Sequence, residues 1–192
     1  VVFDAKLEAE LASALIDVNV AHSDAKKNIR GQFGHTVEMV RGPGNRIFYR
    51  TEVDRLAVAV TEPAPFRIEI DTPPTAILQR GSLNLKVRAI RDEGFDNAIT
   101  LRLPWKPPGV SSAGTISLPK GKSEIDYPLT ANGSAAVGTW HQAVLGEANT
   151  KTGPTIVSSA LTELRVEQPY VNIKIEMAAI ERGQSGDMLC TV

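Results

Sequence analysis

Leu83-Asn84-Leu85-Lys86-Val87-Arg88-Ala89 decides the fold class. Apolar and polar residues alternate strictly along it. Successive strand side chains point to opposite faces, so the run predicts a strand with one apolar and one wet face. The same period of two recurs along the chain. It is seen at Ile16, Val18 and Val20, at Phe66, Ile68 and Ile70, and at Ile99, Leu101 and Leu103. Ile125, Tyr127 and Leu129 repeat it, as do Val171, Ile173 and Ile175. Turn signals separate these runs: Gly42-Pro43-Gly44-Asn45, Pro73-Pro74, Arg80-Gly81-Ser82, Asp92-Glu93-Gly94, Pro107-Pro108-Gly109, Lys120-Gly121-Lys122, Asn132-Gly133-Ser134 and Thr152-Gly153-Pro154. Short strands at such spacing predict an all-β sandwich or barrel. The residue Val, Ile or Thr occupies 45 of the 192 positions, and this β-branched content favours the pleated sheet. Ala5 to Ile16 is the best helix candidate, but Leu7, Ala9 and Leu11 also fit a strand, and the segment is read as extended.

The chain also repeats itself. Leu56-Ala57-Val58-Ala59-Val60-Thr61-Glu62-Pro63 resembles Leu164-Arg165-Val166-Glu167-Gln168-Pro169. Beyond each proline, Pro65-Phe66-Arg67-Ile68-Glu69-Ile70 leads to Arg80-Gly81-Ser82 and Leu83. In parallel, Pro169-Tyr170-Val171-Asn172-Ile173-Lys174-Ile175 leads to Arg182-Gly183-Gln184 and Met188. Upstream, Ile47 precedes Leu56 much as Ile156 precedes Leu164. The offset, roughly 100 residues, is the size of one immunoglobulin-like sandwich. The expectation is therefore tandem immunoglobulin-like antiparallel β-sandwiches. Residues 1–63 would be the C-terminal part of one, 64–168 a complete one, and 169–192 the first strands of a third. A proline at each junction removes an N–H and blocks strand pairing across it. With Val1-Val2-Phe3-Asp4 at one end and the strand-like Leu189-Cys190-Thr191-Val192 at the other, we expect a piece of a longer polypeptide.

The middle segment carries a family resemblance. Gly81-Ser82 opens an alternating strand to Ala89. Gly94-Phe95-Asp96 leads into Ile99-Thr100-Leu101, and Pro107-Pro108-Gly109 follows. Then come Ile116-Ser117-Leu118-Pro119 with Gly121, Tyr127-Pro128-Leu129-Thr130-Ala131-Asn132, and Gly138-Thr139-Trp140. Over 65–168 this resembles the bacterial immunoglobulin-like accessory domains found in tandem in large exported planctomycete proteins that also carry pre-peptidase C-terminal-type domains. The resemblance implies a non-catalytic spacer, stabiliser or adhesion module with no cofactor. It also implies a secreted, periplasmic or cell-surface location, and partners among neighbouring domains of the same polypeptide or surface glycans and proteins.

Charge excludes some functions. Lys plus Arg number 21 and Asp plus Glu 22, for a net charge of −1. Both signs are spread over all three segments, as on an unspecialised surface. Lys26, Lys27 and Arg30 are too few, and too poor in nearby aromatics, for a nucleic-acid face. No apolar run approaches the 18 or so residues of a membrane-spanning helix.

Candidate sites are sparse. Trp105, Pro107 and Pro108 form the best ligand-binding candidate, a Trp beside a stiff loop that can stack on a sugar or a partner. The alternative is that Trp105 packs over the sandwich end and the loop is a turn. Pro108 and Gly109 suit the two central positions of a type II turn. In the strand after Gly138, Trp140 can plug the gap between two sheets. Asp92, Glu93 and Asp96 are the densest acidic group and the weak candidates for a metal. The EF-hand pattern is absent, and Arg91 stands beside them. His22, His35 and His141 share no metal-ligand spacing, and His141 should face away from Trp140. Cys190 is the single cysteine and is expected to be a small buried hydrophobe. No enzymatic constellation is expected. The runner-up function is a carbohydrate-binding module, using Trp105 or Trp140, accessory to a secreted hydrolase or peptidase.

Overall fold

The computed structural model describes residues 3, 5–6, 8–171, 173–175, 179–187 and 190–191. The chain divides into two units, Phe3–Pro63 and Ala64–Val192. Both are built almost wholly of strands in antiparallel pairs. No helix among the described residues is long and apolar enough to cross a membrane.

The first unit holds β1 (Ala12–Ile16), β2 (Asn19–Ala21), β3 (Arg30–Gln32), β4 (His35–Arg41), β5 (Ile47–Val53) and β6 (Leu56–Val60). They form three separate two-stranded sheets, β1-β6, β2-β3 and β4-β5. The β1-β6 ladder has five rungs, from Ala12↔Val60 to Ile16↔Leu56. The Ile16, Val18, Val20 run is two strands, because the chain turns off at Asp17 into the β2-β3 hairpin. The Phe33 N–H donates to the Val18 carbonyl at 2.8 Å and closes that excursion. Within the Ala5 to Ile16 segment, the strand among the described residues is Ala12–Ile16, and Leu7 lies outside those residues. No described residue of this unit is buried.

The second unit holds β7 (Phe66–Ile70), β8 (Ile77–Leu78), β9 (Ser82–Arg91), β10 (Ile99–Arg102), β11 (Val110–Ser112), β12 (Ile116–Leu118), β13 (Glu124–Ala131), β14 (Gly138–Gln142), β15 (Leu145–Thr150), β16 (Gly153–Ser158) and β17 (Thr162–Glu167). One sheet has the order β11-β13-β9-β7, a second β12-β10-β15-β16, and a third β14-β17-β8. The last contains a parallel step, Val166↔Ile77 and Glu167↔Leu78. The β14 to β17 stretch is one long hairpin with a break. The Val144 N–H donates to Ser159 Oγ at 3.0 Å, and the Ser159 N–H donates to the Val144 carbonyl at 2.9 Å. This exchange satisfies the backbone where the ladder is interrupted, as buried polar groups require.

Inward residues from all three sheets meet in a single apolar cluster. Phe66, Ile68, Leu85, Val87 and Leu129 come from the first sheet, Ile99, Leu101 and Leu118 from the second, and Leu164, Val166 and Ile77 from the third. Each such aliphatic or Phe side chain contributes about 1.5–3 kcal/mol on burial. Gly146 on β15 sets the closeness of two of these sheets. A Cβ there would lie 2.6 Å from Ile68 Cγ1 on β7. The Tyr127 phenol is buried, and its hydroxyl donates to the Ala113 carbonyl at 2.9 Å.

Beyond β17, β18 (Lys174–Ile175) pairs with β19 (Cys190–Thr191) in a two-stranded sheet. Cys190 is exposed, against the expectation of burial. Alternation gave its side chain a face, but a two-stranded sheet alone provides no second layer to cover that face.

Candidate binding surface at Trp105

The Trp105 loop leaves β10 through the buried Leu103 and ends in a turn that hands the chain to β11. The Val110 N–H donates to the Pro107 carbonyl at 3.0 Å, and Gly109 has φ +81°. This is the type II geometry that Pro108-Gly109 demands. Gly109 is required twice over, because a Cβ would also lie 2.5 Å from Ala135 Cα.

That close approach joins two loops. The Asn132 N–H donates to the Gly109 carbonyl at 2.9 Å, and the Ala136 N–H to the Pro108 carbonyl at 2.9 Å. Asn132 Oδ1 accepts from the Ser134 N–H at 2.9 Å and from Ser134 Oγ at 3.0 Å. A third loop joins them through Gln79 Nε2, which donates to the Ala135 carbonyl at 2.8 Å. Bonds across all three loops make a platform whose backbone is tied down before any ligand arrives.

Two Trp rings lie on this platform. Trp105 and Trp140 are 5.6 Å apart between centroids and tilted by 47°, within the range of favourable aromatic pairs. Trp140 packs against the apolar cluster, and its indole N–H donates to the Ala136 carbonyl at 3.0 Å. Trp105 stays 48% exposed. Pro108 is exposed and Pro107 is buried, so Pro107 braces the loop while Trp105 and Pro108 offer the surface. The two Trp are 35 positions apart in sequence, and nothing in local spacing signals that they meet. Gln142 follows Trp140 on the same strand face. It is buried, and its Nε2 has no hydrogen-bond partner among the described residues.

The acidic group lies elsewhere. Asp92, Glu93 and Asp96 are all exposed on the turn after β9. The Phe95 N–H donates to the Asp92 carbonyl at 3.1 Å, and Gly94 takes φ +81°. Asp96 pairs with Lys120 at 3.2 Å. The Arg91 guanidinium lies 5.7 Å from the Phe95 ring centroid, and that ring stacks on Phe66. Desolvation lowers the Arg91 pKa, and the charge of Asp96 acts the other way. Arg91 Nη1 donates to the Asn97 carbonyl at 2.6 Å and Nε to the Lys122 carbonyl at 3.2 Å. The turn is thus an Arg-centred staple. Among the described residues no three His, Cys, Asp or Glu side chains gather to hold a metal ion. His22, His35 and His141 are exposed, and His141 faces away from Trp140.

No protein-family model and no curated protein matches this chain. The site's chemistry therefore has to be argued from the residues themselves. A tilted aromatic pair on a braced loop can stack on a flat apolar face, and neighbouring backbone and amide groups can accept or donate hydrogen bonds.

Proposed function

We propose that residues 64–168 form one immunoglobulin-like β-sandwich of a tandem array. In this reading the chain is a non-catalytic structural and interaction module of a larger exported bacterial protein, a spacer, stabiliser or adhesion element. The observation that carries the reading is the interior of this segment. Three sheets close on one apolar cluster, and the buried polar side chains are Gln142 and Ser159. Ser159 is committed to holding the backbone break. The sequence repeat supports the tandem arrangement, and so does a likeness of ladders. The five-rung pair β1-β6 has a five-rung counterpart in β14-β17, and each encloses a hairpin in the chain, β4-β5 in one case and β15-β16 in the other.

A spacer must bear load as a unit. In single-molecule pulling, 64–168 should unfold in one discrete step whose contour gain is about 35–38 nm, at roughly 3.3–3.6 Å per extended residue, less the span of the folded segment. Smooth extension of this segment with no such step would sink the reading.

The exposed Trp105 favours a second reading, a carbohydrate-binding module. Intrinsic Trp fluorescence titrated with soluble glycans, with Trp105→Ala as the control, tests it. Quenching or a spectral shift in the parent chain that disappears in Trp105→Ala is expected. A response equal in both chains would overturn it.

A further inference from the structure

The Trp105 end of the second unit carries charge as well as rings. Three loops meet there: 79–81 between β8 and β9, 103–109 between β10 and β11, and 132–137 between β13 and β14. Together they hold the cations Arg80 and Lys106 and no Asp or Glu. Among the described residues neither cation is in an ion pair. Glu167, whose carbonyl takes the Gln79 N–H, has its carboxylate engaged by Arg165 and by the Tyr170 hydroxyl. The turn at the far end of β9 is acidic instead, with Asp92, Glu93 and Asp96.

Arg80 sits there at a cost. Its φ is +63°, in the left-handed region that few residues other than Gly, Asn and Asp occupy. Such strain persists where the surroundings enforce it, and it clusters at ligand clamps. Here the platform enforces it. The Arg80 N–H donates to the Asn132 carbonyl at 3.4 Å. A Cβ at Gly133 would lie 2.9 Å from Arg80 Nε and 3.7 Å from its Cζ. The guanidinium therefore lies against the bare backbone of Gly133, while Arg80 as a whole stays exposed. Ala136, whose carbonyl holds the Trp140 indole, follows Gly133 by three residues, a span of no more than about 11 Å even if extended. A cation and an aromatic pair thus share one braced loop.

Building on the carbohydrate reading above, we infer that this end binds a carboxylated glycan, a chain of uronic acid residues. Trp105 stacks on a pyranose face. The Arg80 fork takes the carboxylate of a neighbouring sugar in two parallel N–H···O bonds. Lys106, next to Trp105 in the chain, adds a second positive charge without a fixed fork. Asn132 Oδ1 is committed to Ser134, which leaves the Asn132 amide N–H groups to donate to a sugar hydroxyl. Two cations on loops that hold no carboxylate gain nothing from a neutral sugar, and charge complementarity therefore names the ligand class. Every residue invoked lies between positions 80 and 140, inside the 64–168 segment.

Isothermal titration calorimetry on the whole chain is the test, with oligogalacturonate, oligomannuronate and oligoglucuronate as probes. Each acid is paired with its carboxyl-reduced form, which keeps the rings and loses the charge. At least one acid should bind about tenfold or more tighter than its reduced form, and added salt should narrow the gap. Arg80→Gly removes the charge and the strain together, because glycine takes a φ of +63° freely. Its affinity for the acid should fall about tenfold or more while its melting temperature holds or rises. A merely structural Arg80 would lower the melting temperature and leave the preference for the acid intact. Lys106→Gln should weaken the acid alone, and Trp105→Ala should abolish binding of both forms. Equal affinity for acid and reduced forms overturns the inference, as does an Arg80→Gly chain that binds the acid like the parent, or no binding of any acid. If a reduced sugar still binds and Trp105→Ala abolishes it, the carbohydrate reading stands and the acidic ligand alone is lost. If no probe of either kind binds, both fall.

Discussion

Residues 3–63 and 64–168 are written in the same alphabet and end differently. Both alternate apolar and polar residues, and apart from the β8-β17 step both pair their strands antiparallel. In 64–168 every inward face meets another, and Leu101 is 0% exposed. In 3–63 the sheets are two-stranded, and Leu15, with the same alternation, is 57% exposed. Alternation specifies a strand with an apolar face. It does not supply the second layer that makes the face a core, and an isolated two-stranded ribbon is only marginally stable.

The sharpest way to break this contrast is to truncate matched leucines. Leu101→Ala should cost about 2–5 kcal/mol by leaving a cavity in a packed core. Leu15→Ala should fall within about 0.5 kcal/mol, as exposed substitutions do. Urea unfolding with a probe in each unit measures both, and equal losses would erase the distinction. Glycines give the next test. Gly146→Val places a branched side chain against Ile68 and should cost about 1–3 kcal/mol or more through overpacking. Gly34→Ala meets nothing within 4 Å, and its thermal midpoint should barely move. Gly109→Ala combines a left-handed φ with contact against Ala135. We expect a loss of about 1–3 kcal/mol for the strained backbone, with Gly121→Ala, which meets no neighbour within 4 Å, losing less in the same thermal scan. The smallest effect should come from the phenols. Tyr127→Phe forfeits its bond to the Ala113 carbonyl, about 1 kcal/mol, whereas the exposed Tyr49→Phe should be silent in calorimetry.

Much of the strand inventory was legible because the period of two is a local property. The turn at Pro108-Gly109 was legible for the same reason, since its chemistry lies in two adjacent residues. The opposed faces of Trp140 and His141 follow from pleating alone. What was not legible depends on distant partners. Ile77-Leu78 is too short to announce a strand, and only Val166-Glu167 makes it one. Trp105 and Trp140 meet because Gly109 lets two loops approach. Pro107 is buried and Pro108 exposed, a distinction that no property of proline predicts. Cys190 sits on a strand face as expected, but exposure depends on a covering layer. Asp96 was a metal candidate by density, and its pairing with Lys120 crosses 24 positions that spacing rules do not inspect.

The parallel step between β8 and β17 also sets a schedule for synthesis. Val166 follows Ile77 by 89 positions. At roughly 5–20 residues per second, a ribosome needs about 4–18 s to cover that interval. Throughout it, Ile77 has been made and its partner has not. The sheet can be sealed only after nearly the whole segment has been translated, so a chain stalled before Val166 would present this apolar residue to chaperones or to a neighbouring nascent chain.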